Sequence, residues 1–422
     1  MRVYLTQSNQ VKGLTKGEYE ALREMCRYAK NWYNVGLYSI RQDFFAEGRF
    51  LRYESNYQAV KDNENYAGLQ AGVSQQILKV VDRSVRSFCN LLKKAKHGEY
   101  RFHAVRIPQY LDKNDYFPLI LSTNAIVIKN GYLQVPMSRV FQRLHPDWER
   151  IKIPFPSRLA GKTVKEVRIL PMEKARFFTV QFVYKAEEPP QPNLSTDKAL
   201  AIDLGLDNWA TCVNSTEGSS FILDGKSLKS SNPQYNARMA QLQSIFDQQK
   251  YPRSEQMARI TMNRNNQVHD YMLKATRYLI NYCRKHQIGT LIVGYNLDWT
   301  RAMNHGTRHN QNFVQIPYGP LRNQLENLCQ RDGIRYVEQE ESYTSQASFL
   351  EGDPMPIWNG RHQTVTFRGQ RVKRGLYRAA NGQTLNADVN GGGNILQKSN
   401  HRLDFERVAR GLLANPLRVK LT

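Results

Sequence analysis

Cysteine and acid are both scarce in this chain. Five cysteines (Cys26, Cys89, Cys212, Cys283, Cys329) are spread over 422 residues, odd in number and with no C-x-x-C pair. That pattern argues against a disulfide framework and a cysteine zinc site, and favours reduced, buried thiols. No apolar run approaches the roughly 18 residues of a membrane span, and the N-terminal MRVYLTQSNQ lacks an apolar signal core. Internal repeats and low-complexity tracts are also missing. The expectation is a globular, cytoplasmic protein without a membrane partner. Acid is outnumbered, 37 Asp+Glu against 60 Lys+Arg, leaving a net charge of +23. Such an excess repels itself unless a polyanion offsets it, and nucleic acid is the commonest polyanion. Twenty-three Tyr, 17 Phe and 5 Trp supply faces on which unpaired bases stack.

Apolar periodicity predicts a helix over about 15–45, through Leu22, Met25, Ala29, Trp32, Leu37 and Ile40, and a second over about 74–96. The second ends in a basic stretch, Lys93, Lys94 and Lys96. From about 105 to 185 the pattern turns to β, with Asn130-Gly131 marking a hairpin in AIVIKNGYLQVP and FFTVQFVYK a strong strand. The proline-rich AEEPPQPNLSTDK reads as a linker near 186–198. Beyond it come three short antiparallel strands, two long polar helices, strand Thr290–Val293, helix Tyr318–Arg331, strand Ile334–Glu338 and a last acidic helix. That is the order of an RNase H-like fold.

Three carboxylates carry the chemistry: Asp203 in ALAIDLGLDN, Glu341 in EQEESYTS and Asp388 in LNADVNGGGNIL. Each sits at or just beyond an element end, so a single sheet edge can gather them. Oxygen donors of this kind suit Mg²⁺, and a metal pair clamps the attacking and leaving oxygens of an in-line displacement at phosphorus. Singly, each has a plainer role: Asp203 as a turn residue, and Asn386 or Asp388 as a helix cap. Strand–Asp-Leu-Gly followed by Asn390-Gly391-Gly392-Gly393 is also the layout of a phosphate-binding ATPase with a glycine-rich nucleotide loop. The charge and the helical-then-β N-terminal half argue against that rival.

In order, AIDLGLDNWAT, LIVGYN-x-x-W, NQNFVQIPY, EESYTSQASF, RVKRGLYR and LNADVNGGGNIL resemble the TnpB family. These are insertion-sequence-encoded, RNA-guided, RuvC-like nucleases related to Fanzor proteins and type V CRISPR effectors. The resemblance is densest over about 199–420. It implies an α+β multidomain chain: a β-barrel wedge domain (1–14 and 97–188) split by a helical recognition lobe (15–96), then an RNase H-like (RuvC) nuclease domain (198–422). It makes Asp203 and Asp388 the first and third catalytic carboxylates. The second is normally a Glu at the end of the strand written here as LIVGYN, where Gly294, Tyr295 and Asn296 stand. Some relatives place it before Tyr-Thr-Ser, which here is Glu341, with Glu340 as the alternate and Asp298 as a third candidate. Neighbouring strands lie about 4.8 Å apart, so a glutamate side chain spans the shift.

A four-cysteine zinc ribbon is usual in the family, but the corresponding insertion, 346–384, has no cysteine. The expectation is a zinc-free hairpin held by Phe349, Trp358, Val365 and Phe367. Its Arg368, Arg371, Lys373, Arg374 and Arg378 are either a solvated edge or phosphate contacts. The histidines, His269, His286, His305, His309 and His362, are assigned no metal.

The resemblance thus implies an RNA-guided DNA endonuclease. A guide RNA and a double-stranded DNA target with a short adjacent motif are its partners, and base pairing supplies most of the specificity. Two Mg²⁺ ions about 4 Å apart would lie on Asp203, Glu341 and Asp388. The rival is a guide-directed DNA-binding regulator of the same family that does not cut, motivated by the missing glutamate.

Overall fold

Thr15 starts the first long helix through a capping box. Its Oγ1 accepts from the Glu18 N–H (3.2 Å), and the Glu18 carboxylate accepts from the Thr15 N–H (2.9 Å). In the computed structural model the described residues are 3–187, 192–205, 208–216, 219–248, 254–295, 318–357, 365–401, 403 and 413–421. They fall into two compact units, Met1–Glu188 and Pro189–Thr422.

The first unit holds β1 (Val3–Gln10), α1 (Lys16–Glu47), α2 (Tyr53–Val60), α3 (Glu64–Ala67) and α4 (Ala71–Lys96). The apolar stripe of α1, Leu22, Met25, Ala29, Trp32, Leu37 and Ile40, is buried in one core with Ile77, Leu78 and Val81 of α4. Helix α4 begins three residues before the sequence expectation because the Gln70 side chain caps it, accepting from the Val73 N–H (3.1 Å). Next come β2 (Leu119–Ser122), β3 (Val127–Lys129), β4 (Tyr132–Gln134), α5 (Arg139–Leu144), β5 (Lys152–Pro154), β6 (Val164–Met172) and β7 (Phe177–Ala186). The predicted Asn130-Gly131 turn joins β3 to β4. Both residues take positive φ (53° and 76°), which Asn and Gly tolerate. Among the described residues the strands pair as two sheets, β1-β7-β6-β2 and β3-β4-β5.

The second unit is built on β8 (Ser195–Leu204), β9 (Asn208–Asn214), β10 (Ser220–Asp224), α6 (Lys226–Gln248), α7 (Glu255–Lys285), β11 (Ile288–Tyr295), α8 (Tyr318–Arg331) and β12 (Arg335–Glu340). A small hairpin sheet, β13 (Gln370–Lys373), β14 (Leu376–Arg378) and β15 (Thr384–Asn386), leads into α9 (Ala387–Lys398), and β16 (Leu417–Val419) closes the described chain. The main sheet runs β12-β11-β8-β9-β10-β16. Strands β8, β9 and β10 are antiparallel, while β11 lies parallel to β8 and β12 parallel to β11. Strand β16, which no sequence pattern marks, adds parallel to β10 at the far edge.

Both faces of this sheet are covered, which explains its near-continuous apolar strands. Leu200 and Ile202 of β8 enter a core with Met272 and Leu279 of α7 and Leu321 and Leu325 of α8. Alternate residues point the other way. Ala199 and Ala201 of β8 and Ile292 of β11 pack with Val389, Ile395 and Leu396 of α9. Continuing that second face by two residues gives Asp203 on β8 and Gly294 on β11.

Candidate active site

Asp203 follows from that alternation. It shares the face of Ala199 and Ala201, so its carboxylate leaves the strand end toward α9. It pairs with Thr211 of β9 and is half-buried. The fit against α9 is close: a Cβ built on Gly391 would lie 2.6 Å from the Asp203 Oδ2.

Gly294 stands next to Asp203 in the sheet, one residue beyond the Val293–Ile202 register pair. This is the strand that carries no acid. A Cβ on Gly294 would lie 2.9 Å from the Glu341 Oε2 and 2.7 Å from the Ile395 Cδ1. The Glu341 carboxylate therefore lies over the bare glycine, entering from the next strand. Its backbone N–H donates to the Tyr295 carbonyl (3.3 Å), extending the β11–β12 ladder by one residue.

Glu340 is engaged elsewhere. Its Oε2 accepts from the Lys398 ammonium (2.6 Å) and its Oε1 from the Ser342 N–H (2.6 Å). Burial works to raise the Glu340 carboxyl, but those two donors overcome it and hold it below the usual carboxylate range. Asp298 lies outside the described residues.

Asp388 sits in the first turn of α9, and the cap is its neighbour. The Asn386 Oδ1 accepts from the N–H groups of Asp388 (3.0 Å) and Val389 (3.2 Å). That leaves the Asp388 side chain free to take the Asn208 amide on Oδ2 (2.5 Å) and to face Arg371 of β13 at 3.9 Å. Asp388 and Gly391 are three apart on a helix and share a face, so Asp203 lies over the same face as Asp388.

The Asn-Gly-Gly-Gly run is helical and buried, not a nucleotide loop. Its glycines let α9 lie close on the sheet: a Cβ at Gly392 would meet Val213 at 2.9 Å, and one at Gly393 the Phe349 ring at 2.6 Å. The flanking asparagines strap down the segment after Glu341. Asn390 donates to the Ala347 carbonyl (2.7 Å) and accepts from the Phe349 N–H (3.0 Å), and Asn394 donates to the carbonyls of Thr344 (2.8 Å) and Ala347 (2.7 Å). Two Asn at i and i+4 on an otherwise apolar helix face are the sequence signal for such a strap.

Electrostatically, Asp203 is the acid that responds to the other two. Burial raises the Asp203 carboxyl well above the ordinary range, and the charges of Glu341 and Asp388 push it further, with Arg371 opposing. Burial, then Glu340, raises Glu341 to about 7, with Lys398 opposing. Crowded, desolvated carboxylates are stabilised in their charged form by a bound cation, and hard oxygen donors select Mg²⁺-like ions. The donor set and the two glycine hollows beneath Asp203 and Glu341 fit such an ion. Among the described residues no three His, Cys, Asp or Glu side chains are already gathered as a metal cluster.

Two neighbours were not evident from sequence. Tyr318, the last residue of NQNFVQIPY and the only one of that motif among the described residues, donates its hydroxyl to the Gly205 carbonyl (3.0 Å). Burial raises its phenol, and Asp203 and Glu341 raise it further. Arg371 comes from the cysteine-free insertion. Within the same basic run, Arg368 pairs with Asp353 (2.7 Å). The core of the hairpin also differs from expectation. Tyr377, Leu385 and Ala387 form it, with the Tyr377 hydroxyl on the Gln346 carbonyl (2.8 Å). Phe349 instead packs under α9, Val365 and Phe367 are only half-buried, and Trp358 lies outside the described residues, as do His305, His309 and His362.

Residues 181–300 match the family model OrfB_IS605, described as a probable transposase. No curated protein matches the chain. Among solved structures, the cryo-EM structure of a Cas12f1-sgRNA-target DNA complex is similar at 12% identity and a TM-score of 0.55, covering 90% of this chain and 83% of that one. A CRISPR-Cas12f ternary complex matches at 13% identity over 89% and 81% of the two chains, with a TM-score of 0.36. At such identities the likeness is one of fold: a mixed α+β, multidomain chain. The probable-transposase segment spans Asp203 and the LIVGYN strand, and the other sequence motifs follow it in order.

Proposed function

We propose that the chain is an RNA-guided DNA endonuclease whose RuvC-like site is formed by Asp203, Glu341 and Asp388. One observation carries the reading: the Glu341 carboxylate lies over Gly294 beside Asp203, where the strand's own glutamate would otherwise stand. The strand order and the parallel placement of β11 and β12 support an RNase H-like nuclease domain. The rival, a guide-directed binder that does not cut, draws its support from an empty second position, and the Glu341 carboxylate over Gly294 weighs against it.

Asp203, Glu341 and Asp388 would hold Mg²⁺, with Asn208 fixing one oxygen of Asp388. When bound, a Mg²⁺ pair would supply an activated water and neutralise charge on the leaving oxygen; 5′-phosphate and 3′-hydroxyl ends are what the RuvC resemblance implies. Arg371, exposed at the rim and drawn toward the carboxylates, would present its donor fork to a phosphate oxygen. The excess of Lys and Arg fits a guide RNA and a duplex DNA target as partners. The structurally similar Cas12f1 was solved with an sgRNA and target DNA, which supports that pairing of partners. No helix among the described residues is long and apolar enough to cross a membrane.

The test is to sequence the RNA that copurifies with the protein and to offer DNA matching its variable end, with Mg²⁺. Cutting of matched but not mismatched duplex is the expected result. Binding of matched DNA without any cut strand would leave only the binding rival.

Gly294→Ala probes the carrying observation. The added methyl displaces the Glu341 carboxylate, so cleavage should fall by about 10²-fold, as for a misplacement near 1 Å. Target affinity measured by filter binding should stay unchanged. Wild-type cleavage by this variant would mean that Glu341 does not work from above Gly294.

A further inference from the structure

Moving a carboxylate off its own strand leaves it poorly supported. Glu341 lies one residue past the end of β12, and its N–H makes the last rung of the ladder. Two residues on, Tyr343 takes a positive φ (67°) and the chain turns away. Backbone pairing alone leaves such a position free to fray.

The Glu341 carbonyl accepts from the Thr344 N–H (3.2 Å) and hydroxyl (2.9 Å), and one buried ammonium ties the residues on either side of it. Lys398, in the last turn of α9 with its side chain only 7% exposed, donates to the Glu340 Oε2 (2.6 Å) and to the Ser342 carbonyl (2.9 Å). The second oxygen of Glu340 takes the Ser342 N–H. Both chain neighbours of Glu341 are thus tied to one side chain, and the Glu341 side chain is turned the other way, over Gly294. Lys398 lies ten residues beyond Asp388 on the same helix, about 15 Å along its axis at 1.5 Å per residue. One rigid element therefore carries the third carboxylate at its start and the support of the second at its end.

We propose that the Glu340–Lys398 pair is a brace that positions Glu341 for metal binding, compensating for the lost carboxylate on the LIVGYN strand. The brace rests on the site assignment made above, and Lys398 acts through Glu341 as a positioning residue without touching the metal. A plainer role, a half-buried ion pair that only stabilises the fold, makes a different prediction. In that case a folded variant would hold metal as tightly as wild type at temperatures well below its melting point.

The experiment measures Mn²⁺ affinity of the full chain by electron paramagnetic resonance, with the Mg²⁺ concentration for half-maximal target cleavage in parallel. Lys398→Met should weaken Mn²⁺ binding about 10- to 100-fold, the usual effect of removing a partner that orients a metal ligand. The Mg²⁺ requirement should rise with it, while target binding stays constant. Lys398→Arg, which still donates to both Glu340 and Ser342, should recover most of the affinity. If Lys398→Met does not fold, Glu340→Gln keeps an acceptor for the Ser342 N–H while removing the charge, and must weaken Mn²⁺ in the same direction. A folded Lys398→Met with wild-type Mn²⁺ affinity overturns the brace. Wild-type protein that binds Mn²⁺ but never cuts overturns the endonuclease reading and leaves the brace standing.

Discussion

Glu341→Gln is expected to lower target cleavage roughly 10³-fold or more while leaving guide and target binding intact. The change keeps the side chain's size and its place over Gly294 but removes the charge. A bound metal ion contributes several kcal/mol of charge stabilisation in the transition state, which is lost with the carboxylate that holds it, and each 1.36 kcal/mol is about tenfold in rate. Glu340→Ala should behave differently. Its carboxylate is committed to Lys398 and Ser342, so its removal should loosen the site and raise the Mg²⁺ requirement without abolishing chemistry. Quenched-flow cleavage of end-labelled DNA across a Mg²⁺ series separates the two. Saturating Mg²⁺ should restore much of the rate to Glu340→Ala and none to Glu341→Gln. The reverse pattern would transfer the metal ligand to Glu340.

The second large effect is a contrast within one helix. Gly391→Ala and Gly393→Ala are two residues apart on α9, and both replace a costly helical glycine, a gain of about 0.5–1 kcal/mol. At Gly391 the new methyl meets the end of the Asp203 carboxylate, which swings aside. Stability should hold or rise, and cleavage should fall about 10²-fold because a ligand has moved. At Gly393 the methyl meets the fully buried Phe349 ring at 2.6 Å, with no room to retreat. Overpacking of that kind costs about 1–3 kcal/mol, so the net loss is on the order of 1–2 kcal/mol. That corresponds to a Tm lower by roughly 2–8 °C. Calorimetry and the cleavage assay should therefore respond oppositely: Gly391→Ala stable and slow, Gly393→Ala less stable but able to cut when folded. Equal effects on both readouts would contradict the packing described for α9.

How far the site was legible in the sequence depends on how local its determinants are. Asp203 could be read because alternation along β8 is local: Ala199 and Ala201 share its face, and Leu200 and Ile202 the other. Asp388 could be read from its place in the first turn of a helix, although the cap proved to be Asn386. The choice between Glu340 and Glu341 could not be made locally. Period-2 alternation separates their faces only while the strand persists, and β12 ends at Glu340. What separates them in the structure is Lys398, 58 residues from Glu340 in sequence, and the hollow at Gly294. In the insertion the large aromatics suggested a core around Phe349, yet Phe349 belongs under α9 and Tyr377 fills the hairpin. Strand β16 has three residues, too few for any period, and exists only because β10 offers it a parallel edge. The glycine run looked like a phosphate loop because composition does not distinguish a turn from a close helix-to-sheet approach.

The most direct measurement is an anomalous difference map from crystals of the protein soaked in Mn²⁺. Manganese bound by Asp203, Glu341 and Asp388 together, with Glu340 still on Lys398, is the predicted result. Manganese held by Glu340, or by Asp203 and Asp388 with Glu341 turned away, would contradict it.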